Sequence, residues 1–399
     1  MSARAVRAAV RALARLTVYP ALGLALAYTA LHFFGLPGFA ERHLLAALEH
    51  RGLVARVRGI HIEWPALLVA RQVHIYPTPG AGRPVAEARE LVLRFGRDAA
   101  SGRPGLCGAA GRGIVLRPGA EPDADAPSWT AAAPTIEVED VELEFAPDGW
   151  IVRHADARFG GLCWRLTGRM AAPAQGRGAV LQADWAGRLR AQTDRWLRAA
   201  RALEDFEMRS PPTAYAHFLM DPNDPSRDIA RLTLRVGEGR WRGLPVLGGQ
   251  LRAELRGRDV RISTAELRLA RGRIAASADY RAEERTLNAR AEGRLPVRDW
   301  LALPVPPAAA RLADALRVNA GDARVEIETD GAIPWDSWRE RWRGRIELGP
   351  GEAADIPFDR FTGRVRRDGS QLRVEAVEAV VGAGRGRGPA RGDFEIALD

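Results

Sequence analysis

Lysine is missing altogether: all 59 basic residues of the 399-residue chain are arginine. The formal net charge of +9 therefore rests on arginines that alternate with Glu and Asp along the chain and form no block. That pattern reads as a solvated, salt-bridged face and argues against a nucleic-acid partner. Cysteine is also scarce. Cys107 and Cys163 are too few for a disulfide framework, and the sequence leaves open whether they pair. There is no G-x-S-x-G elbow, no P-loop, no H-E-x-x-H and no paired C-x-x-C, so no catalytic residue is assigned and no enzyme is expected. The seven histidines are scattered. His61 and His74 lie near Glu63 but lack a third ligand at useful spacing, and no metal or cofactor is expected.

What the chain does have is length and apolar content: 46% hydrophobic and 27% charged residues exclude wholesale disorder and allow a sizeable core. Residues Leu16–Leu36 form an uncharged run long enough to cross a hydrocarbon core. Arg4, Arg7, Arg11 and Arg15 precede it, so the positive-inside rule puts the N-terminus in the cytoplasm and the body outside. A signal peptide cleaved after Ala25-Leu26-Ala27 is the alternative, although it would leave a hydrophobic stub through Phe34.

Beyond the run, Pro37–Arg51 reads as a short helix, and the apolar period then changes from about 3.6 to 2. Strands are predicted at Thr135–Phe145, with a one-residue slip at Asp140, and at Ala230–Val236, Gln250–Arg256, Ala323–Glu328 and Trp342–Leu348. Leu189–Met208 and Val297–Arg317 read as helices, the second with Asp299 as N-cap and a break at Pro304–Pro307. Trp196 and Trp300 are expected as core anchors. Trp335, Trp338 and Trp342 lie close together and are expected in the core, with a membrane interface or a place under a helix as alternatives. Leu234–Gly239 aligns with Ile346–Gly351, and the same offset matches Gly257 to Gly369 and Val260–Ile262 to Leu372–Val374, which indicates a duplicated unit.

These segments carry a resemblance. The apolar run, the helix LPGFAERHLLAALEHRG, the strands LVARVRGIHIEW, LLVARQVHIYP and AEARELVLRF, and units such as GGQLRAELRGRDVRISTAELRLARGRIAASADY together resemble AsmA-like bacterial envelope proteins. These belong to the repeating β-groove, bridge-like lipid-transfer group. The chain is short for that family and ends in the strand-like GDFEIALD. The resemblance implies a mostly β protein with a few helices: an N-terminal transmembrane helix, then a long curled antiparallel sheet forming an open groove. It implies a single-pass protein of the bacterial inner membrane with a periplasmic body, and membrane phospholipids as partners alongside envelope proteins. The organisation expected is a basic tail (1–15), an anchor (16–36), a first groove segment (37–186) and two helix-plus-β repeats (187–296 and 297–399). From pattern alone a closed sandwich fits the strands equally well. The residues expected to line a groove are Ile136, Val138, Leu143, Leu232, Leu234, Leu251, Leu255, Val260, Ile262, Val325, Ile327, Ile346, Leu348, Leu372 and Val374.

Overall fold

The computed structural model describes residues 26, 28–29, 31–33, 35–49, 54–63, 67–76, 82–97, 104–117, 135–159, 161–172, 206–221, 223–302, 321–337, 341–353, 356–369, 371–383 and 386–397. These residues are mostly β, with few helices, and divide into two compact units. The first comprises residues 1–160 and 167–197, the second 161–166 and 198–399. Most of the apolar run at Leu16–Leu36 lies outside the described residues. Among the described residues no helix is long and apolar enough to cross a membrane.

In the first unit, α1 (Gly38–Glu49) follows Pro37, which suits a helix start. The sheet then runs through β1 (Val54–Arg56), β2 (Gly59–Glu63), β3 (Leu67–Tyr76), β4 (Ala86–Arg97), β5 (Pro104–Leu116), β6 (Ile136–Ala146) and β7 (Gly149–Phe159). Strands β1 and β2 both pair with β3, and from β3 each strand pairs antiparallel with the next. The slip anticipated at Asp140 is a bulge: the β6–β7 register shifts between Val138 and Asp140, which keeps Val141 and Leu143 on the face of Val138. β8 (Leu162–Ala171) is divided between the units.

The second unit contains β9 (Phe206–Met208), β10 (Thr213–Met220), β11 (Ile229–Val236), β12 (Gly239–Trp241), β13 (Leu244–Arg256), β14 (Asp259–Leu269), β15 (Gly272–Arg281), β16 (Thr286–Pro296), α2 (Val297–Ala302), β17 (Asp322–Thr329), β18 (Ile333–Pro334), β19 (Arg341–Leu348), β20 (Gly351–Ala353), β21 (Ile356–Asp368), β22 (Gln371–Ala383) and β23 (Gly386–Ala397). Its main ladder is antiparallel in the order β10, β11, β13, β14, β15, β16, β17, β19, β21, β22, β23. Among the described residues no pairing joins β23 back to β10, so the ladder is open. Arg242 and Gly243, both at positive φ, make the two-residue turn between β12 and β13.

The strand bounds repeat. β11 begins at 229 and β19 at 341, 112 positions on, and the starts of β12, β13 and β14 recur at the same interval as those of β20, β21 and β22. Even the bulge between Ile262 and Ala265 has its counterpart between Val374 and Val377.

Three expectations need correction. Phe206–Met208 is a strand and not the end of a helix, because β9 pairs with β12 and the Phe206 ring stacks on Trp241 with centroids 5.1 Å apart. The remainder of the predicted Leu189–Met208 helix, Trp196 included, lies outside the described residues, as does the chain from 303 to 320. Asp299 is not an N-cap. It sits inside the first turn of α2, buried, with its carboxylate 3.0 Å from Arg271. Trp335 is no part of the core: it is 54% exposed, edge-on to Tyr280.

Candidate functional site

Alternation along each strand, combined with register, gathers distant sequence positions into rows. In the second unit one apolar row crosses eleven strands without a break. Ala214, Leu234, Leu251, Ala265, Ala276, Ala291, Ile327, Gly344, Val365, Val374 and Phe394 stand opposite one another in turn. In the first unit Ile60, Ala70, Leu91, Gly111, Val141 and Ala155 do the same across six strands.

The residues predicted to line a groove fall into three sets. Ile136, Val138 and Leu143 lie half-buried on β6, opposite Leu116, Ile114 and Ala109 of β5. Leu232, Leu234, Leu251, Leu255, Val260 and Ile262 form a half-buried patch on β11, β13 and β14, with Leu234 opposite Leu251 and Leu255 opposite Val260. Val325, Ile327, Ile346, Leu348 and Val374 belong to β17, β19 and β22, with Val325 opposite Ile346. The Leu372 backbone opposes Arg367, and its side chain lies outside the described residues.

Burial divides the second unit's face. Around β11 to β14 the predicted residues are only half-covered. Towards β22 the face is filled: Phe358 and Phe361 are each 3% exposed and Val374 is 0% exposed, in a cluster that includes Val297 and Ala323. Trp300 of α2 contributes to the cover. Its indole Nε1 donates to the Ala323 carbonyl at 3.1 Å, and its ring lies on Gly293, where an added Cβ would come within 2.6 Å of Cη2. Trp300 also packs against a second cluster of Leu244, Val246, Leu269 and Leu295.

The opposite face is charged. Arg231 and Arg256 reach Glu254 at 3.7 and 2.5 Å, and Arg261 reaches Asp279 at 3.4 Å. The hydrogen bond from Arg256 holds the Glu254 carboxyl below the ordinary glutamate value. Desolvation opposes this, and the charges of Arg256, Arg231 and Arg261 reinforce it. Exposed pairs of this kind contribute little to stability. On the same face a cavity of about 1080 Å³ is lined by Arg268, Arg273, Arg294 and Arg324 together with Glu266, Glu292, Asp322, Glu347 and Asp359.

In the first unit His154 lies 2.6 Å from Asp140 and 3.6 Å from Glu142. His61 contacts the carbonyl of His32 at 3.2 Å, and His74 stands opposite Glu87. Cys107 and Cys163 are both free thiols.

Sequence reading missed two features. The alanines that continue the apolar row between β14 and β17 carry too weak a hydrophobic signal. The arginines of the cavity come together only through register. Comparisons of the chain with protein-family profiles, curated proteins and solved structures give no match.

Proposed function

We propose that the chain binds phospholipid acyl chains on the half-covered apolar face of its second unit and performs no chemistry on them. The observation that carries this reading is the unbroken apolar row, left half-exposed across β11, β13 and β14. A continuous apolar face requires cover, and a lipid tail supplies it without any specific polar contact. Each buried methylene contributes about 0.8 kcal/mol, so ten of them offset several kcal/mol of lost chain freedom. On this reading the Leu16–Leu36 run anchors the chain in the inner membrane, the body lies in the periplasm, and the chain serves lipid movement between membranes or upkeep of the outer membrane, in keeping with the AsmA-like resemblance.

A second reading has its own support. The cluster around Phe358, Phe361 and Val374 is filled by the chain's own side chains, as in a closed β scaffold that docks envelope partners. Native mass spectrometry of the full chain, released from detergent, separates the two. Co-purifying phospholipid that disappears in a folded Leu234→Glu variant is the expected result. A lipid-free mass for the folded wild type, or lipid retained by folded Leu234→Glu, overturns the groove reading.

A further inference from the structure

The charged face carries a row of a single sign. Arg268 stands opposite Arg273, Arg273 opposite Arg294, and Arg294 opposite Arg324. Four guanidinium-bearing positions thus occupy adjacent strands, spanning roughly 14 Å at the usual strand spacing. Like charges placed directly opposite one another destabilise a sheet. The compensation is uneven. Arg324 meets Glu326 at 2.7 Å and Arg294 meets Asp322 at 3.2 Å, whereas Arg273 reaches Glu292 only at 4.0 Å. The Arg268 side chain has no ion pair or hydrogen bond among the described residues. All four line the 1080 Å³ cavity.

We propose that this cavity binds an anion carrying two or more phosphate groups. Each guanidinium has five N–H donors in a planar fork, and an ion pair with one carboxylate leaves donors free for a phosphate oxygen. The neighbouring carboxylates of Glu292 and Asp322 select against singly charged ligands, which gain little by competing with them. A ligand with several charges engages the row at once and relieves its mutual repulsion. Because side chains alternate between faces, the site lies on the opposite side of the sheet from Leu234 and Leu251 and is independent of acyl-chain binding.

The two sources of such a ligand, a soluble oligophosphate and a diphosphorylated lipid headgroup, are distinguished with two probes on the full chain in detergent at low salt. The first is sodium tripolyphosphate followed by titration calorimetry. The second is flotation with phosphatidylcholine vesicles with or without cardiolipin. Binding of at least one probe is expected, weakened tenfold or more by Arg273→Gln/Arg294→Gln. The control pair Arg256→Gln/Arg261→Gln, on the same face but outside the cavity, is expected to change it less than twofold. Tripolyphosphate binding assigns a soluble ligand, and cardiolipin-dependent flotation alone assigns a headgroup. An unchanged circular dichroism spectrum and melting temperature for the cavity variant exclude misfolding as the cause of any loss. Failure of both probes, or equal weakening by the two double variants, overturns the proposal.

Discussion

Leu295→Ala compared with Leu251→Ala tests whether the apolar face is covered at one place and open at another. Leu295 is 0% exposed within the cluster of Leu244, Val246 and Leu269, with Trp300 packed against it. Truncation removes three carbons, worth about 2.4 kcal/mol of transfer free energy at about 0.8 each. The cavity left behind adds to this, so the expected loss is about 3 kcal/mol, within the roughly 2–5 kcal/mol typical of buried leucines. Leu251 is on the same face but only half-buried, opposite Leu234 and Ala265. Much of its surface is still in water and its cavity can be hydrated, so about 1 kcal/mol is expected. The assay is urea unfolding of lipid-free protein, followed by tryptophan fluorescence, with midpoints compared at an unchanged slope. Equal losses at the two sites would mean that the face over β11 to β14 is as closed as that beside α2, and the half-open description would fail.

Gly293→Ala places a methyl group within 2.6 Å of the Trp300 ring, so the indole must move. A loss of about 1–3 kcal/mol is expected from overpacking, together with a shift in tryptophan emission; an unchanged spectrum and midpoint would show that α2 does not rest there. Glu254 gives a pH test. Its carboxyl is held below the ordinary value chiefly by the Arg256 hydrogen bond. Its folded-state contribution is therefore present above the ordinary glutamate range and lost as pH falls through the lowered folded value. A carboxyl NMR titration is expected to show a depressed midpoint that rises in Arg256→Gln, and a wild-type midpoint at the ordinary value contradicts the geometry.

Much of the fold was legible because a sheet with one apolar and one charged face writes a period of two into the sequence. Ile229–Val236 and Asp322–Thr329 extend their predicted spans by a residue or two, and the Asp140 slip is visible as two charged residues in succession. Other strands left no such trace. Pro104–Leu116, PGLCGAAGRGIVL, is so rich in glycine and alanine that neither face stands out. Phe206–Met208 follows a segment with helical spacing, and only its pairing with Gly239–Trp241 makes it a strand. Asp299 resembles a cap in sequence because nothing local reveals that Arg271, 28 positions earlier, reaches it. The apolar alternation was legible residue by residue, but the division of that face into covered and half-covered parts depends on Trp300 and the two phenylalanines, which are set by tertiary packing.

The duplicated frame explains how one face acquired both characters. Gly249 and Leu267 stand opposite each other in the first copy, and at the same offset Phe361 and Ala379 stand opposite each other in the second. The bulky partner has changed strands and has grown, a phenyl ring standing in the second copy where the first has an isobutyl group. Ile262 and Ala265 correspond likewise to Val374 and Val377, half-buried in one copy and buried in the other. The exchange predicts a specific rescue. Gly249→Phe alone places a Cβ 2.9 Å from the Glu266 carbonyl and 3.0 Å from Leu267 Cδ1, and is expected to destabilise by about 1–3 kcal/mol. Adding Leu267→Ala removes the second clash and recreates the pairing of the other copy while the contact with the Glu266 carbonyl stays, so part of that loss is expected to return. The restored variant would carry a phenyl ring over the open part of the face and is expected to retain less co-purifying phospholipid than the wild type. A double variant no more stable than Gly249→Phe would show that the copies are not interchangeable in their packing. One that is stable yet binds lipid undiminished would place any acyl chain away from β13 and β14.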